Sequence, residues 1–577
     1  MRRYRLFLLL AAVFAAKLIV LVQLRDHPLL QADPNVVSDA SIYGRFLSLM
    51  LSTAHAFATA RVIQILFGTI AVACVFVAAR TWFGERAGWV AAVAAGMTGL
   101  FTFHELVIAP SALNTLITSG ALMCLALACA ERPDPASRLP QGTRESAMAW
   151  SCAGGVLLIA LMWNSTWRIG NPYVSSLGWA WIRAAPGDAL SWMARQLALV
   201  FSATPIASGL SYTFFASDAG TLLQFLRVGP WLLWPLGLAG LIVGPWGHRP
   251  RSYLAWCAFV PAYAFVIAIF TVNDETRLPL LIALAIGTGG AVDRFVSRGT
   301  LTARLAIPGI AVIVALLVNR PLQADDGRAE ARTRMAEAMI ARDEIEAAEA
   351  WVIQAEAIHP RPALVHFRVG RLLIVHSRPD AAMRHLRRSL ELEPSQPDAE
   401  YALGQALVDA RQPAEAIPHL QTALKAGVRV NLAGFDLARA FAATGDRVGA
   451  LQVLQGVRPE ADTDYQGWDA LGQLALQLQS PSLAAAFFQR AVAASPQTSK
   501  PRQDLGMALA MMGRYQEAIT EFEQAATLDP ADPAAQLNLA VAYAETGRKA
   551  EARARAQEAL RLRPGYQRAQ QFLAALR

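Results

Sequence analysis

The chain has 577 residues and a formal net charge of +8, and 54% of its residues are hydrophobic while only 17% are charged. This length is too great for a single core, and so little charge is typical of a membrane protein. The basic residues are mostly arginines, many of them in short loops beside apolar runs, and they form no interleaved basic and aromatic patch, so nucleic-acid binding is not expected. All five cysteines fall in apolar segments. We therefore expect no disulfide framework, no metal site and no cofactor.

Residues 1–320 contain the long uncharged runs that predict membrane spans. The first run, Leu6–Leu24, follows the basic segment MRRYR and is interrupted only by Lys17. It is long enough to span a bilayer and lacks a clear cleavage site, so we expect a retained helix. Further apolar runs lie at 58–80, 87–103, 109–130, 148–163, 230–246, 252–271, 278–293 and 304–320. Together they predict a polytopic helical domain with about nine spans.

The distribution of arginine predicts the orientation of this domain. Arginines concentrate in alternate gaps between the apolar runs, at 80–86, 131–146, 247–252 and 293–304. Under the positive-inside rule these gaps and the N-terminus are cytoplasmic. With nine spans the remaining gaps and everything after residue 320 then lie outside, which in a bacterial inner membrane means the periplasm, whereas an even number of spans would put the C-terminal half inside. The long external segment 164–229 mixes tryptophans with charged residues and predicts helices at the membrane interface.

The soluble half of the sequence, 329–577, repeats every 34 residues. The two-residue motif that marks the repeat occurs at Met335-Ala336, Val369-Gly370, Leu403-Gly404, Leu437-Ala438, Leu471-Gly472, Leu505-Gly506 and Leu539-Ala540. A 34-residue period with small residues where two helices touch resembles the tetratricopeptide repeat (TPR). We expect about seven repeats and a capping helix at Gln567–Arg577. Such residues pack against one another, and a protein or peptide partner would bind to the concave face.

The predicted fold class is therefore all-α, with two domains. A polytopic membrane domain over 1–320 is followed by a linker at 321–328 and a TPR α-solenoid over 329–577. Each repeat buries its apolar face only against its neighbours, so the array is expected to curve.

Several stretches of the membrane half resemble bacterial GT-C glycosyltransferases of the family-39 or protein-mannosyltransferase-like type. The stretch HPLLQADPNVVSDASIY is similar to the first external loop of that family, and FHELVIAPSALNTLITSGAL to its next external turn and helix. The segments WRIGNPY and DETRLPLLIALAI resemble later parts of its membrane domain. The resemblance implies transfer of a sugar, a hexose or pentose, from a polyprenyl-phosphate donor to an acceptor on the periplasmic face. The donor would lie among the membrane lipids, which the domain would also contact.

The resemblance also implies roles for individual residues. In the first loop, Asp39 would be the catalytic base with Tyr43 beside it, and Asp33 is the alternative base in a shifted register. A carboxylate can deprotonate an attacking hydroxyl. Arg277 would bind the donor phosphate, with Arg168 as a second candidate.

Two further features of the resemblance bear on activity. Glu105 matches an acidic position of the second external loop. The first loop, however, is shorter than in the family, and the middle of the domain, near 130–163, is several helices short. The alternative hypothesis is therefore a non-catalytic protein, in which a reduced, inactive glycosyltransferase-like domain anchors a TPR scaffold.

Overall fold

The computed structural model describes residues 2–30, 42–50, 56–130, 151, 153–154, 183, 185–207, 210–243, 250–270, 272–297, 301–320, 326–459 and 461–576. Within these ranges every regular element is a helix, apart from an isolated β-bridge between Thr98 and Arg227. The predicted all-α fold class is thus confirmed. The chain forms two compact units, Met1–Ala338 and Met339–Arg577.

The helices of the first unit are α1 Arg2–Gln23, α2 Ile42–Met50, α3 Ala56–Phe83, α4 Glu85–Gly96, α5 Gly99–Leu106, α6 Ser111–Ala130, α7 Pro186–Phe201, α8 Tyr212–Ser217, α9 Pro230–Val243, α10 Pro250–Phe270, α11 Asp274–Val296 and α12 Leu301–Val318. Helix α13, Arg328–Ala341, crosses from the first unit into the second.

Four of the described helices are long and apolar enough to cross a membrane: they lie in α1, α3, α6 and α11. Shorter apolar helices lie in α9, α10 and α12. The predicted run at 87–103 is divided between α4 and α5, because Thr98 has extended backbone between them. The run at 148–163 lies almost entirely outside the described residues. The number of nine spans therefore stays a prediction.

Helix α11 is the centre of the first unit and is packed by α3, α4, α6 and α9. Its residues from Leu278 to Ala291 are all buried. Glycines allow this close packing: a Cβ added to Gly240 of α9 would collide with the backbone of Gly287 in α11. Small residues commonly bring apolar helices together in this way. Asn273 and Thr276 form a capping box that begins α11.

The remaining helices are α14 Ile345–Glu356, α15 Pro362–Val375, α16 Pro379–Leu392, α17 Pro397–Asp409, α18 Pro413–Lys425, α19 Val430–Thr444, α20 Arg447–Leu454, α21 Tyr465–Gln477, α22 Pro481–Ala494, α23 Ser499–Met511, α24 Tyr515–Leu528, α25 Pro533–Glu545, α26 Lys549–Leu562 and α27 Gln567–Ala575. From α13 onward they are seven consecutive pairs followed by the single helix α27.

From α15 to α26 the two helices of each pair pack along each other. The small residue of the 34-residue motif makes this contact possible. Gly472 lies under the ring of Phe488, and Gly506 lies under the ring of Phe522, one repeat later. First helices of successive repeats also contact one another, as α21 contacts α23 and α23 contacts α25. In a stacked array this arrangement puts the first helices on the inner surface.

Candidate functional site

Of the residues assigned by resemblance, Asp33, Asp39 and Arg168 lie outside the described residues, and their roles stay predictions. The structure does describe both ends of the loop that carries the two aspartates. Leu30 ends the segment before it, and Tyr43 lies in the first turn of α2 after it. The loop therefore leaves the unit at Leu30 and rejoins it at Tyr43.

Two polar side chains of α3 bind the two ends of this loop. Arg61 donates to the carbonyl oxygens of Leu30 and Leu106, the latter at 3.1 Å from Nε. One turn further along, Gln64 Nε2 lies 3.2 Å from the Tyr43 hydroxyl and 3.0 Å from the carbonyl of Ala109. Both ends of the predicted catalytic loop therefore meet the α5–α6 turn at the same end of α3.

Glu105, at the C-terminal end of α5, is fully buried. Its Oε1 accepts a hydrogen bond from Lys17 Nζ of α1 at 2.6 Å, and both side chains are about 2% exposed. Gly68 of α3 leaves room for the carboxylate, since a Cβ at that position would collide with Glu105. The second oxygen, Oε2, has no hydrogen-bond partner among the described residues. This carboxylate faces the interior of the helical bundle and links α1 to α5.

Arg277, in the first turn of α11, is also completely buried. Its guanidinium donates to the carbonyl oxygens of Ser202 and Thr204, the latter at 2.9 Å, and forms an ion pair with Asp274 at 3.3 Å. The backbone N–H of Asp274 donates to the carbonyl of Ile206. These bonds hold the segment after α7 against the start of α11. A role in phosphate binding stays a prediction.

The described candidates lie on helices that contact one another. Helix α3 contacts both α2, which carries Tyr43, and α5, which carries Glu105, and α5 also contacts α11, which carries Arg277. Sequence reasoning gave no role to Lys17, which lies in an apolar run. Ionisable residues inside such runs usually face a partner within the bundle, and that rule could have identified it.

The repeats offer a second candidate region, the inner surface formed by the first helices. In its middle, the carboxylate of Asp436 on α19 binds Arg439 at 2.9 Å and the Tyr401 hydroxyl of α17 at 3.4 Å. Burial raises the pKa of Asp436, and hydrogen bonding to Arg439 opposes the rise. This acid is satisfied within the solenoid and is not free for a ligand.

Nearer the C-terminus, large apolar side chains of the inner surface are exposed. Met507 and Met511 of α23 are 39% and 56% exposed, and Val541 of α25 is 40% exposed. Met507 and Val541 occupy the same position in successive repeats, 34 residues apart. Exposed apolar side chains grouped on adjacent helices are typical of a protein-binding surface.

An open cleft of about 640 Å³ lies between α22, α23 and α24. It contains the carboxylates of Glu517 and Glu521. The first already binds Arg514 at 2.6 Å, and the second binds Arg502 at 3.0 Å. The charges of this cleft are therefore balanced within the solenoid. Among the described residues, no group of three or more His, Cys, Asp or Glu side chains is placed to hold a metal ion.

Comparisons with known proteins bear on the repeats. Two tetratricopeptide repeat family models match residues 401–465 and 509–576. They confirm the predicted TPR repeats in the C-terminal region, which are a protein-interaction module. No match supports a glycosyltransferase portion, and none of the curated proteins compared matches the chain.

Solved structures similar to part of this chain include TPR proteins. YrrB, a TPR protein with an unusual peptide-binding site, is 22% identical; the match covers 38% of this chain and 96% of YrrB, with a TM-score of 0.26. The C-terminal part of a TPR protein from Cytophaga hutchinsonii is 17% identical over 41% of this chain and 97% of that one, with a TM-score of 0.35. PilF of Pseudomonas aeruginosa is 19% identical over 37% and 97%, with a TM-score of 0.29.

Proposed function

We propose that this chain is a membrane-anchored TPR scaffold that binds a protein or peptide partner on the inner surface of its repeats. One observation carries the proposal: exposed apolar side chains at equivalent repeat positions, Met507 and Val541, lie on adjacent first helices. The long apolar helices α1, α3, α6 and α11 supply the anchor.

Deletion of residues 327–577 tests this proposal. Cells would express the full chain or the truncated chain, and partners would be fixed to the chain in the membrane fraction by a chemical cross-linker. We expect discrete cross-linked products with the full chain and their loss with the truncated chain, at equal membrane levels. Survival of the same products without the repeats would show that the solenoid is not the binding element.

The placement we propose is a bacterial inner membrane with a cytoplasmic N-terminus and periplasmic repeats. The alternation of arginine-rich gaps supports it. A reporter active only in the periplasm, fused after residue 577, should give a signal. A signal only from a cytoplasmic reporter at the same position would overturn this topology.

A second candidate function is GT-C-type sugar transfer from a polyprenyl-phosphate donor. It is favoured by the convergence of both loop ends, Leu30 and Tyr43, on the α5–α6 turn, which directly follows the end of α5 where Glu105 lies. In this candidate Asp39 is the base that deprotonates the acceptor hydroxyl, and polyprenyl phosphate leaves as the acceptor oxygen bonds to the sugar.

The substitution Asp39→Asn tests this second function. It should abolish sugar transfer in membranes supplied with a polyprenyl-phosphate-linked sugar, at unchanged expression, whereas the neighbouring substitution Asp26→Asn should not. Transfer that is unchanged by Asp39→Asn, and also by Asp33→Asn, would remove the loop from the mechanism.

A further inference from the structure

Two carboxylates from successive repeats meet on the inner surface. Asp469 of α21 and Asp504 of α23 share the single ammonium group of Lys500, whose Nζ lies 2.6 Å from Asp504 and 3.7 Å from Asp469. Asp504 is 6% exposed. The Oδ1 atom of Asp469 is buried and has no hydrogen-bond partner within the described part of the chain. One lysine therefore compensates two acids, and one acceptor oxygen is left over.

Helices α21, α23 and α25 offer the two carboxylates no positive charge other than that of Lys500. Helices α21, α23 and α25 carry five charged side chains, which are Asp469, Lys500, Arg502, Asp504 and Glu545. Arg502 is paired with Glu521 of α24, so it belongs to the other side of its helix. The remaining four are three acids and one lysine. This part of the inner surface therefore carries a net negative charge.

Burial, together with the neighbouring carboxylate of Asp504, raises the pKa of Asp469 to about 6. The direction shows that holding this charge here is unfavourable in the unliganded chain. A second cation placed beside the two carboxylates would relieve their repulsion.

An apolar row begins one turn away. Asp504, Met507 and Met511 are spaced by three and four residues, so they lie along one face of α23. Val541 continues the row on α25, which contacts α23. The acidic pair and the exposed apolar side chains are thus adjacent parts of one surface.

We propose that the inner surface of α21, α23 and α25 binds a peptide segment in which a lysine or arginine lies beside apolar side chains. The cation would sit on the Asp469–Asp504 pair, and the apolar side chains would cover Met507, Met511 and Val541. This inference rests on the proposed scaffold function and states the chemistry of its partner. Charge complementarity selects the cation, and the exposed methionines adapt to varied apolar side chains.

Pooled short peptides test the inference on the full chain held in lipid nanodiscs. Each pool has one fixed central residue, either Lys, Arg, Gln or Glu, and flanking residues drawn from Leu, Met, Phe, Ala and Ser. We expect the Lys and Arg pools to be retained at least about tenfold more than the Gln and Glu pools. A preference of this size is what a charge pair buried in an interface can contribute to binding. Raising the salt concentration should reduce that preference.

Matched variants identify the surface. The double variant Asp469→Asn/Asp504→Asn should abolish the preference for cationic pools while leaving the melting temperature unchanged or higher, because it removes a repulsion. If the carboxylates served only the fold, the melting temperature would fall instead. The control Glu551→Gln/Glu558→Gln also removes two negative charges, but from α26, the second helix of its repeat and so away from the inner surface. This control should leave retention unchanged. Met507→Ser/Met511→Ser should weaken retention of every pool, whereas Val448→Ser on α20 should not.

The outcomes separate this inference from the function on which it rests. Retention of neutral or anionic pools in preference to cationic ones would overturn the inference and leave the scaffold function standing. Retention of no pool would overturn the inference, and the cross-linking comparison of the full and truncated chains would then decide the scaffold function separately. If the acidic pair instead binds a second copy of the chain, the double variant would lower the mass of the particle measured by light scattering, and that result would also overturn the inference.

Discussion

Lys17 of α1 and Glu105 of α5 form a buried ion pair, with 2.6 Å between Nζ and Oε1, although 88 residues separate them in the sequence. Both side chains are about 2% exposed. The pair fixes α1 to the end of α5, next to the α5–α6 turn that both ends of the predicted catalytic loop contact. It is therefore a structural determinant of that region, whatever the loop does.

Removing one partner of this pair should be far more harmful than removing both. Glu105→Gln leaves the Lys17 ammonium buried without its counterion, and we expect a loss of about 3–5 kcal/mol in the free energy of unfolding. The double variant Lys17→Met/Glu105→Leu should recover much of that loss. Thermal unfolding of the detergent-solubilised chain measures both effects. Asp26→Asn, which removes one half of the exposed Arg25–Asp26 pair, should change the melting temperature little. Equal losses in the single and double variants would contradict an ion pair.

Arg277 gives a second test, because its guanidinium donates to two carbonyl oxygens and an acid at once. Lysine keeps the charge but has no planar fork, so Arg277→Lys should lower the melting temperature markedly. The exposed Arg227→Lys is the matched control in the same unit and should be neutral. A stable Arg277→Lys variant that has lost only sugar transfer would instead favour the phosphate-binding role implied by the resemblance.

His366 of α15 and His385 of α16 predict a pH dependence of the repeats. Their Nδ1 atoms are 3.0 Å apart, Glu356 and Glu349 face their Nε2 atoms, and Arg384 and Arg388 bind these same glutamates. Burial lowers the pKa of both imidazoles from the ordinary value of 6.5.

The unfolded chain therefore binds more protons than the folded chain once the pH falls below about 6.5. Stability should be fully present above that value and should decrease as the pH falls, by up to about 1.4 kcal/mol per pH unit for each proton. Urea unfolding followed by circular dichroism at neutral and acidic pH measures this slope. His366→Gln/His385→Gln should flatten it, and the exposed His376→Gln should not. A slope that is the same in the double variant would contradict the assignment.

The repeats were predictable because their signal is local and periodic. Leu471-Gly472 recurs as Leu505-Gly506, and in each case an aromatic ring from the second helix of the same repeat packs against the glycine. Nothing distant along the chain is needed to form that contact. The acidic pair was not predicted, because Asp469 and Asp504 become neighbours only when one first helix stacks on the next.

The membrane half was less predictable because its contacts, like that of the acidic pair, join residues that are distant in the sequence. An apolar run at 87–103 predicts one span, but hydropathy does not register the extended backbone at Thr98 that separates α4 from α5. The hydrogen bonds that Arg277 donates to the carbonyls of Ser202 and Thr204 are not visible in sequence, and its role in phosphate binding stays a prediction. Every residue has a backbone carbonyl, so the residue type does not show which carbonyls bind an arginine.

The central claim, that the inner surface of the repeats binds a partner in the membrane-anchored chain, is tested most directly by site-specific photocross-linking in living cells. A photoreactive phenylalanine analogue would replace Met511 on the inner surface or, as the control, the 77%-exposed Val448 on α20. Illumination should give a discrete cross-linked protein from position 511 in the membrane fraction, weakened by Asp469→Asn/Asp504→Asn, and none from position 448. The same product from both positions, or a product from position 448 alone, would contradict the claim.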